Sequence, residues 1–147
     1  MPETFNPYEL HKVDLHEVRK VDLHELHKAE FLHEVRKAQV AAFIRERGKI
    51  LLHELWRLGD WTLGEVCWHS PLAPNLIIWA NLSEELYHIL AELINEGKVM
   101  PKLCKPRLYA EDGISLSYNG KPLPVAERLR VSTPHWLPIY LKWVGQR

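Results

Sequence analysis

Residues 81–99, Asn81-Leu-Ser-Glu-Glu-Leu-Tyr-His-Ile-Leu-Ala-Glu-Leu-Ile-Asn-Glu-Gly-Lys-Val99, carry a helix with signals at both of its ends. Asn81 followed three residues later by Glu84 has the spacing of a capping box, in which side-chain oxygens satisfy the orphan N–H groups of a first turn. Leu82, Leu86, Ile89, Leu90 and Leu93 form an apolar stripe that continues to Ile94, and Gly97 stands where a helix leaves through a left-handed residue. Beyond Gly97 the period changes. Lys98 to Leu103 predicts a strand, and Ile114 to Tyr118 alternates up to Asn119-Gly120, a pair that favours a two-residue hairpin turn. Leu123 to Val125 lies on the far side of that turn, and Trp136 to Val144 is a last extended segment. Helices followed by short antiparallel strands predict an α+β fold.

Upstream, Val40, Phe43, Ile44, Leu51, Leu55 and Leu58 fit one helical stripe with a break at Gly48, and Gly59-Asp60 ends it. Thr62 with Glu65 has capping-box spacing and Trp61 with Val66 that of a hydrophobic staple, which predicts a short helix from Leu63 that stops before Pro71. Ser70 to Asn75 reads as a turn. Leu76 to Trp79 is an apolar run whose period fits either state.

The N-terminal third repeats itself, with Leu-His-Glu-Val-Arg-Lys at 15–20 and 32–37 and Leu-His-Glu-Leu-His-Lys at 23–28. Asn6, Pro7 and Glu9 form the first helix-start signal, and Asp14 with Glu17 and Asp22 with Glu25 repeat the cap-like spacing. Each copy brings an i,i+3 apolar pair: Leu15 with Val18, Leu23 with Leu26, Leu32 with Val35. At 100° per residue, intervals of 8 and then 9 residues turn the pairs in successive directions, so a regular coiled coil is disfavoured. Either short helices break at the Asp residues, or one long helix is contacted on several sides. These features divide the chain into a repetitive helical arm at 1–37 and a domain at 38–147.

The 147 residues suffice for one domain with a sizeable core plus an appendage, and 46% hydrophobic with 26% charged residues is the composition of a folded, soluble chain. No stretch approaches eighteen apolar residues and the start lacks signal-peptide character, which points to a cytoplasmic protein without a membrane segment. Cys67 and Cys104 are isolated and make neither a disulfide framework nor a zinc set. Residues 1–97 carry 10 Lys/Arg against 16 Asp/Glu, and residues 98–147 carry 9 against 3, so an acidic part precedes a basic one. Six Trp residues exceed what a core of this size needs, so some are expected to face a partner.

Helical segments at 49–58, 63–69 and 82–96, then Asn95-Glu96-Gly97-Lys98-Val99 leading into strands with an Asn-Gly hairpin, resemble the winged helix-turn-helix family over residues 49–125. That resemblance implies DNA binding, or protein contacts in transcription and replication machinery, with the third helix in the major groove. The third helix here departs from the pattern. Its polar face offers Glu84, Glu85, His88, Glu92, Asn95 and Glu96 and no Lys or Arg, which disfavours contact with a duplex. Basic candidates for nucleic-acid contact lie in the final third: Lys98, Lys102, Lys105, Arg107, Lys121 at the hairpin tip, Arg128 and Arg130.

No Gly-rich phosphate loop, nucleophile elbow or paired carboxylate framework is present, so the sequence points to a non-enzymatic protein without a cofactor. The expected function is a regulator or adaptor that docks on a protein partner, in transcription or other nucleic-acid machinery. Its interface would be built from Leu15, Val18, Leu23, Leu26, Leu32 and Val35 of the arm and Glu84, Glu85, His88 and Glu92 of the acidic helix, and self-association is a further use of the arm. Two alternatives stand beside it: direct DNA or RNA binding through the basic residues of 98–130, and metal binding at the N-terminal His cluster, where His24 and His27 stand i,i+3.

Overall fold

Between Pro7 and Gly48 the sequence has no Gly or Pro. In the computed structural model, which describes the backbone of residues 15–146 and the side chains of residues 25–146, one uninterrupted helix, α1 (Leu15–Arg47), runs up to that glycine. Asp22 therefore does not break it: with Glu, Lys, Arg, Leu and Ala filling most positions, propensity carries the helix through a single unfavourable residue. Gly48 ends it at φ 80, its N–H bonded to the Ile44 carbonyl at 2.8 Å. The Asn6 helix start and the side chains of Leu15, Val18, Leu23 and His24 lie outside the described residues. The chain divides into two compact units, Met1–Arg36 and Lys37–Arg147.

After Gly48 the helical stripe changes state. Lys49–Leu51 is strand β1, and Leu52–Leu58 and Asp60–Thr62 are 3-10 turns. Leu52 and Leu55 still reach the core, because positions three apart eclipse in a 3-10 helix. The helix expected over 63–69 is instead strand β2 (Leu63–Ser70), paired antiparallel with β3 (Ala73–Leu82). Eight residues that include Val, Cys and Trp are too few for a helix without support, and the strand state lets them pair with β3. Thr62 does not cap a helix. Its hydroxyl donates to the Gly59 carbonyl at 2.9 Å and closes the 3-10 turn. Gly64 allows β2 to approach the start of the next helix: a Cβ there would lie 2.6 Å from Ser83 Cα.

Helix α2 (Glu84–Asn95) begins two residues later than the Asn81 signal suggests. Ser83 is the cap, its Oγ accepting from the Leu86 N–H at 2.9 Å, while Asn81 takes a left-handed φ of 62. At the other end Gly97, φ 74, leaves through paired bonds from Gly97 N to the Ile94 carbonyl and from Lys98 N to the Leu93 carbonyl, both 3.0 Å. Then follow β4 (Val99–Leu103), a short helix α3 (Arg107–Ala110), the hairpin β5 (Ser117–Tyr118) and β6 (Lys121–Pro122), β7 (His135–Trp136) and β8 (Ile139–Trp143). Asn119 and Gly120 both have positive φ, as a two-residue hairpin turn requires. Of the three helical segments that carry the winged-helix resemblance, Glu84–Asn95 is an α-helix, Leu52–Leu58 a 3-10 helix, and Leu63–Ser70 a strand.

Among the described residues the strands form three sheets, in the orders β1-β8-β4, β2-β3-β7 and β5-β6. All pairings are antiparallel except β3 with β7. Leu76 to Ala80 are all buried because β3 is the central strand of its sheet and is covered on both faces, so the run shows no alternation. In the first sheet β8 alternates throughout, and β4 alternates until Leu103, which is exposed at its end. Ile50, Val99, Ile139, Leu141 and Trp143 face the core with Val40, Phe43 and Ile44 of α1 and Leu86, Ile89, Leu90 and Leu93 of α2.

An aromatic group lies within this core. The Trp79 and Tyr109 rings stack at 5.3 Å, Trp136 meets Tyr109 edge-on at 5.1 Å, and His53 lies 5.5 Å from Tyr109. Trp79, Trp136 and Trp143 are buried, so half of the Trp surplus fills the interior and Trp56 is the one that stands clearly exposed. The Tyr109 hydroxyl accepts from the Leu52 N–H at 3.0 Å and donates to the Ile139 carbonyl at 2.7 Å, joining the 3-10 turn to β8, and burial pushes its pKa well above the usual phenol range. Tyr109→Phe leaves both backbone groups buried and unpaired. It is expected to destabilise the chain by about 1–3 kcal/mol in urea unfolding, with little change in the slope.

Candidate functional site

The polar face of α2 is partly occupied by the chain itself. Lys37 Nζ lies 3.1 Å from Glu92 Oε1 and hydrogen-bonds Glu96 Oε2, and Lys98 Nζ lies 3.2 Å from Glu96 Oε1. The bond to Glu96 raises the pKa of the Lys37 ammonium, and the same bond lowers that of the Glu96 carboxyl. Glu92, expected at a partner interface, thus belongs to an intramolecular clamp between α1 and α2. Glu84 and His88 remain exposed and Glu85 is half-buried.

The arm presents apolar side chains to solvent. Leu26, Leu32 and Val35 are exposed, and Phe31, which the repeat pattern does not single out, is 72% exposed. At 100° per residue, Phe31, Val35 and Leu32 fall within an arc of about 100° on the helix. His27 is exposed. Among the described residues no group of three or more His, Cys, Asp or Glu is placed to hold a metal ion.

The seven basic candidates are spread over several elements. Lys98 closes α2, Lys102 lies on β4, Lys105 precedes α3 and Arg107 opens it, and Lys121 sits in the hairpin. Arg128 and Arg130 line an open groove of about 1060 Å³ that also touches the exposed Leu72 at the β2–β3 turn, Leu129 and His135. Two further lysines share the outward face of the first sheet with Lys102: Lys49 on β1 and Lys142 on β8. Their outward direction is legible, since Lys142 stands between Leu141 and Trp143 and Lys49 precedes Ile50. Their pairing is not, because 93 positions separate them in the sequence.

Other chemistry is sparse. His53 Nε2 lies 3.0 Å from Asp112 Oδ2, while His53 Nδ1 and Trp136 Nε1 are buried without a hydrogen-bond partner. Burial raises the pKa of both the Cys67 and the Cys104 thiol, which disfavours the reactive thiolate. No helix among the described residues is long and apolar enough to cross a membrane. No protein-family model, curated protein or solved structure matches the chain.

The α1–α2 clamp has a defined pH window. The lowered Glu96 pKa contributes stability above the unfolded carboxyl value of about 4.3, and that contribution is lost as pH falls through the lower folded value. The raised Lys37 pKa contributes below about 10.4 and is lost as pH rises through the higher folded value. Lys37→Met is therefore expected to lower stability at pH 7 by at most about 1 kcal/mol, since Glu96 is partly solvated. The difference from the unaltered chain should shrink steadily as urea unfolding is repeated from about pH 5 toward pH 2.

Proposed function

We propose that this chain is a non-enzymatic adaptor or regulatory protein that docks on a protein partner through its helical arm. The supporting observation is the exposed group Phe31, Leu32 and Val35 on one sector of α1. Complete burial of side chains of this kind contributes about 1.5–3 kcal/mol each, so an interface can form on a helix face without a deep pocket. A partner with an apolar groove flanked by mixed charge suits this sector, where Glu30, Glu34 and Lys28 accompany the apolar residues. The setting we propose is nucleic-acid machinery, which is what the winged-helix resemblance implies.

The test uses full-length protein as bait in native extract treated with nuclease. One stoichiometric protein is expected to be retained by the unaltered chain and to fall at least about tenfold with Phe31→Ser combined with Val35→Ser, while thermal unfolding stays unchanged. Loss of every partner on nuclease digestion, or equal retention by the variant, would contradict the proposal.

Residues 37–147 hold the clamp and the buried core, so removing residues 1–36 is expected to leave a chain that unfolds cooperatively. Circular dichroism on heating checks this. A truncated chain with no transition would make the arm part of the core.

A further inference from the structure

The strands β1, β8 and β4 contain three Lys and no Asp or Glu, and all three lysines are on the same face. The register fixes this. Lys49 pairs with Lys142, which pairs on its other side with Met100, while Leu51 pairs with Tyr140, which pairs with Lys102. Residues that pair directly point to the same side of a sheet, and the core lies on the opposite side. The result is an outward surface with lysines on all three strands around a half-buried Tyr140, whose ring Lys49 Nζ overlies at 5.6 Å. Of the two carboxylates that flank β1 in the sequence, Glu54 is turned onto the Leu51 N–H at 2.7 Å and Glu46 stands in the last turn of α1.

Two aspects of this surface point to a ligand. Lys49 and Lys142 are direct cross-strand neighbours, and like charges in that relation destabilise a sheet. Lysines also guard exposed sheet edges against pairing with other chains, which accounts for Lys49 and Lys102 on the outer strands. It does not account for Lys142, because β8 is the central strand and has no free edge. A surface that maintains repulsion on its central strand is stabilised when an anion neutralises it.

We propose that this face binds the phosphodiester backbone of single-stranded nucleic acid, with Lys49, Lys102 and Lys142 on phosphates and Tyr140 and Met100 against a base. The combination of a basic surface and an aromatic ring selects a single strand, whose base faces are free to stack, over a duplex, whose base faces are already stacked on one another. Docking of an acidic protein is the competing use of the same charge, and it does not call for the aromatic ring.

The full-length chain is titrated against fluorescein-labelled oligothymidylate and oligouridylate of 20 nucleotides and against a DNA duplex of equal length, at 50 and 200 mM KCl, with anisotropy as readout. Three neutralised phosphates give a slope of about −2 in log affinity against log salt, so binding of the single strands should weaken roughly 20-fold between the two salts. Both single strands should bind more tightly than the duplex. Lys49→Gln with Lys102→Gln and Lys142→Gln should abolish binding, and Tyr140→Leu should weaken single-strand binding by at least about fivefold. Arg128→Gln with Arg130→Gln, in the separate groove, should leave it unchanged. Lys142→Gln alone should unfold at the same or a higher temperature than the unaltered chain, which separates loss of binding from loss of fold.

Absence of single-strand binding at 50 mM KCl would overturn the proposal, as would binding unaffected by the triple variant. Equal affinity for duplex combined with indifference to Tyr140→Leu would also overturn it, by showing unselective attraction to phosphate.

Discussion

The folded unit depends on strand β8 being paired on both edges in one register. Its inward residues Ile139, Leu141 and Trp143 close the core, its Ile139 carbonyl receives the Tyr109 hydroxyl, and the Trp143 N–H reaches the Gly48 carbonyl at the end of α1. Val144 N and Lys98 O are joined at 2.8 Å, which ties the same strand to the end of α2. Because side chains alternate, a slip of one residue would turn Tyr140 and Lys142 inward and expose three large apolar side chains. Burying an unpaired lysine, charged or neutralised, costs several kcal/mol, a large part of the roughly 5–15 kcal/mol by which a domain of this size is stable. The burial that fixes the inner face therefore also fixes the outer one, and the opposition of Lys49 and Lys142 follows from core packing.

Elements marked by local chemistry were legible in the sequence. Helix α2 shows its apolar stripe and its Gly97 exit, the 119–120 turn shows the residues that tolerate positive φ, and 98–103 reads as a strand. The α+β class follows from these alone. Segments whose state depends on a distant partner were not legible. Leu63–Ser70 carries a cap-like spacing, and only pairing with β3 makes it a strand; Leu76–Ala80 has no period because it is buried on both sides. Asn81 and Ser83 are both able to cap, and the choice of Ser83 reflects the path of the chain out of β3.

The same distinction governs the surfaces. The 8- and 9-residue intervals of the arm turn its apolar pairs in successive directions, and α1 is a single helix on which Leu26, Leu32 and Val35 stand exposed. Phe31 lies outside the repeated motif, and its exposure is a property of the folded chain. Grouping basic residues by their place in the final third puts Arg128 and Arg130 with Lys102, although they stand on different elements, and leaves out Lys49, which comes from the acidic part of the chain. Glu92, one of the α2 carboxylates that suggest a docking face, is engaged by Lys37, and Glu96 at the end of the helix is engaged by Lys37 and Lys98.

The register of β8 is tested most directly by cross-strand backbone nuclear Overhauser effects in the isotope-labelled full-length chain. Contacts linking Lys49 with Lys142 and Met100 with Lys142 are predicted, together with Leu51 to Tyr140 and Tyr140 to Lys102. Contacts displaced by one residue, pairing Lys49 with Leu141 or Met100 with Trp143, would contradict the account, since the lysines would no longer share the outward face.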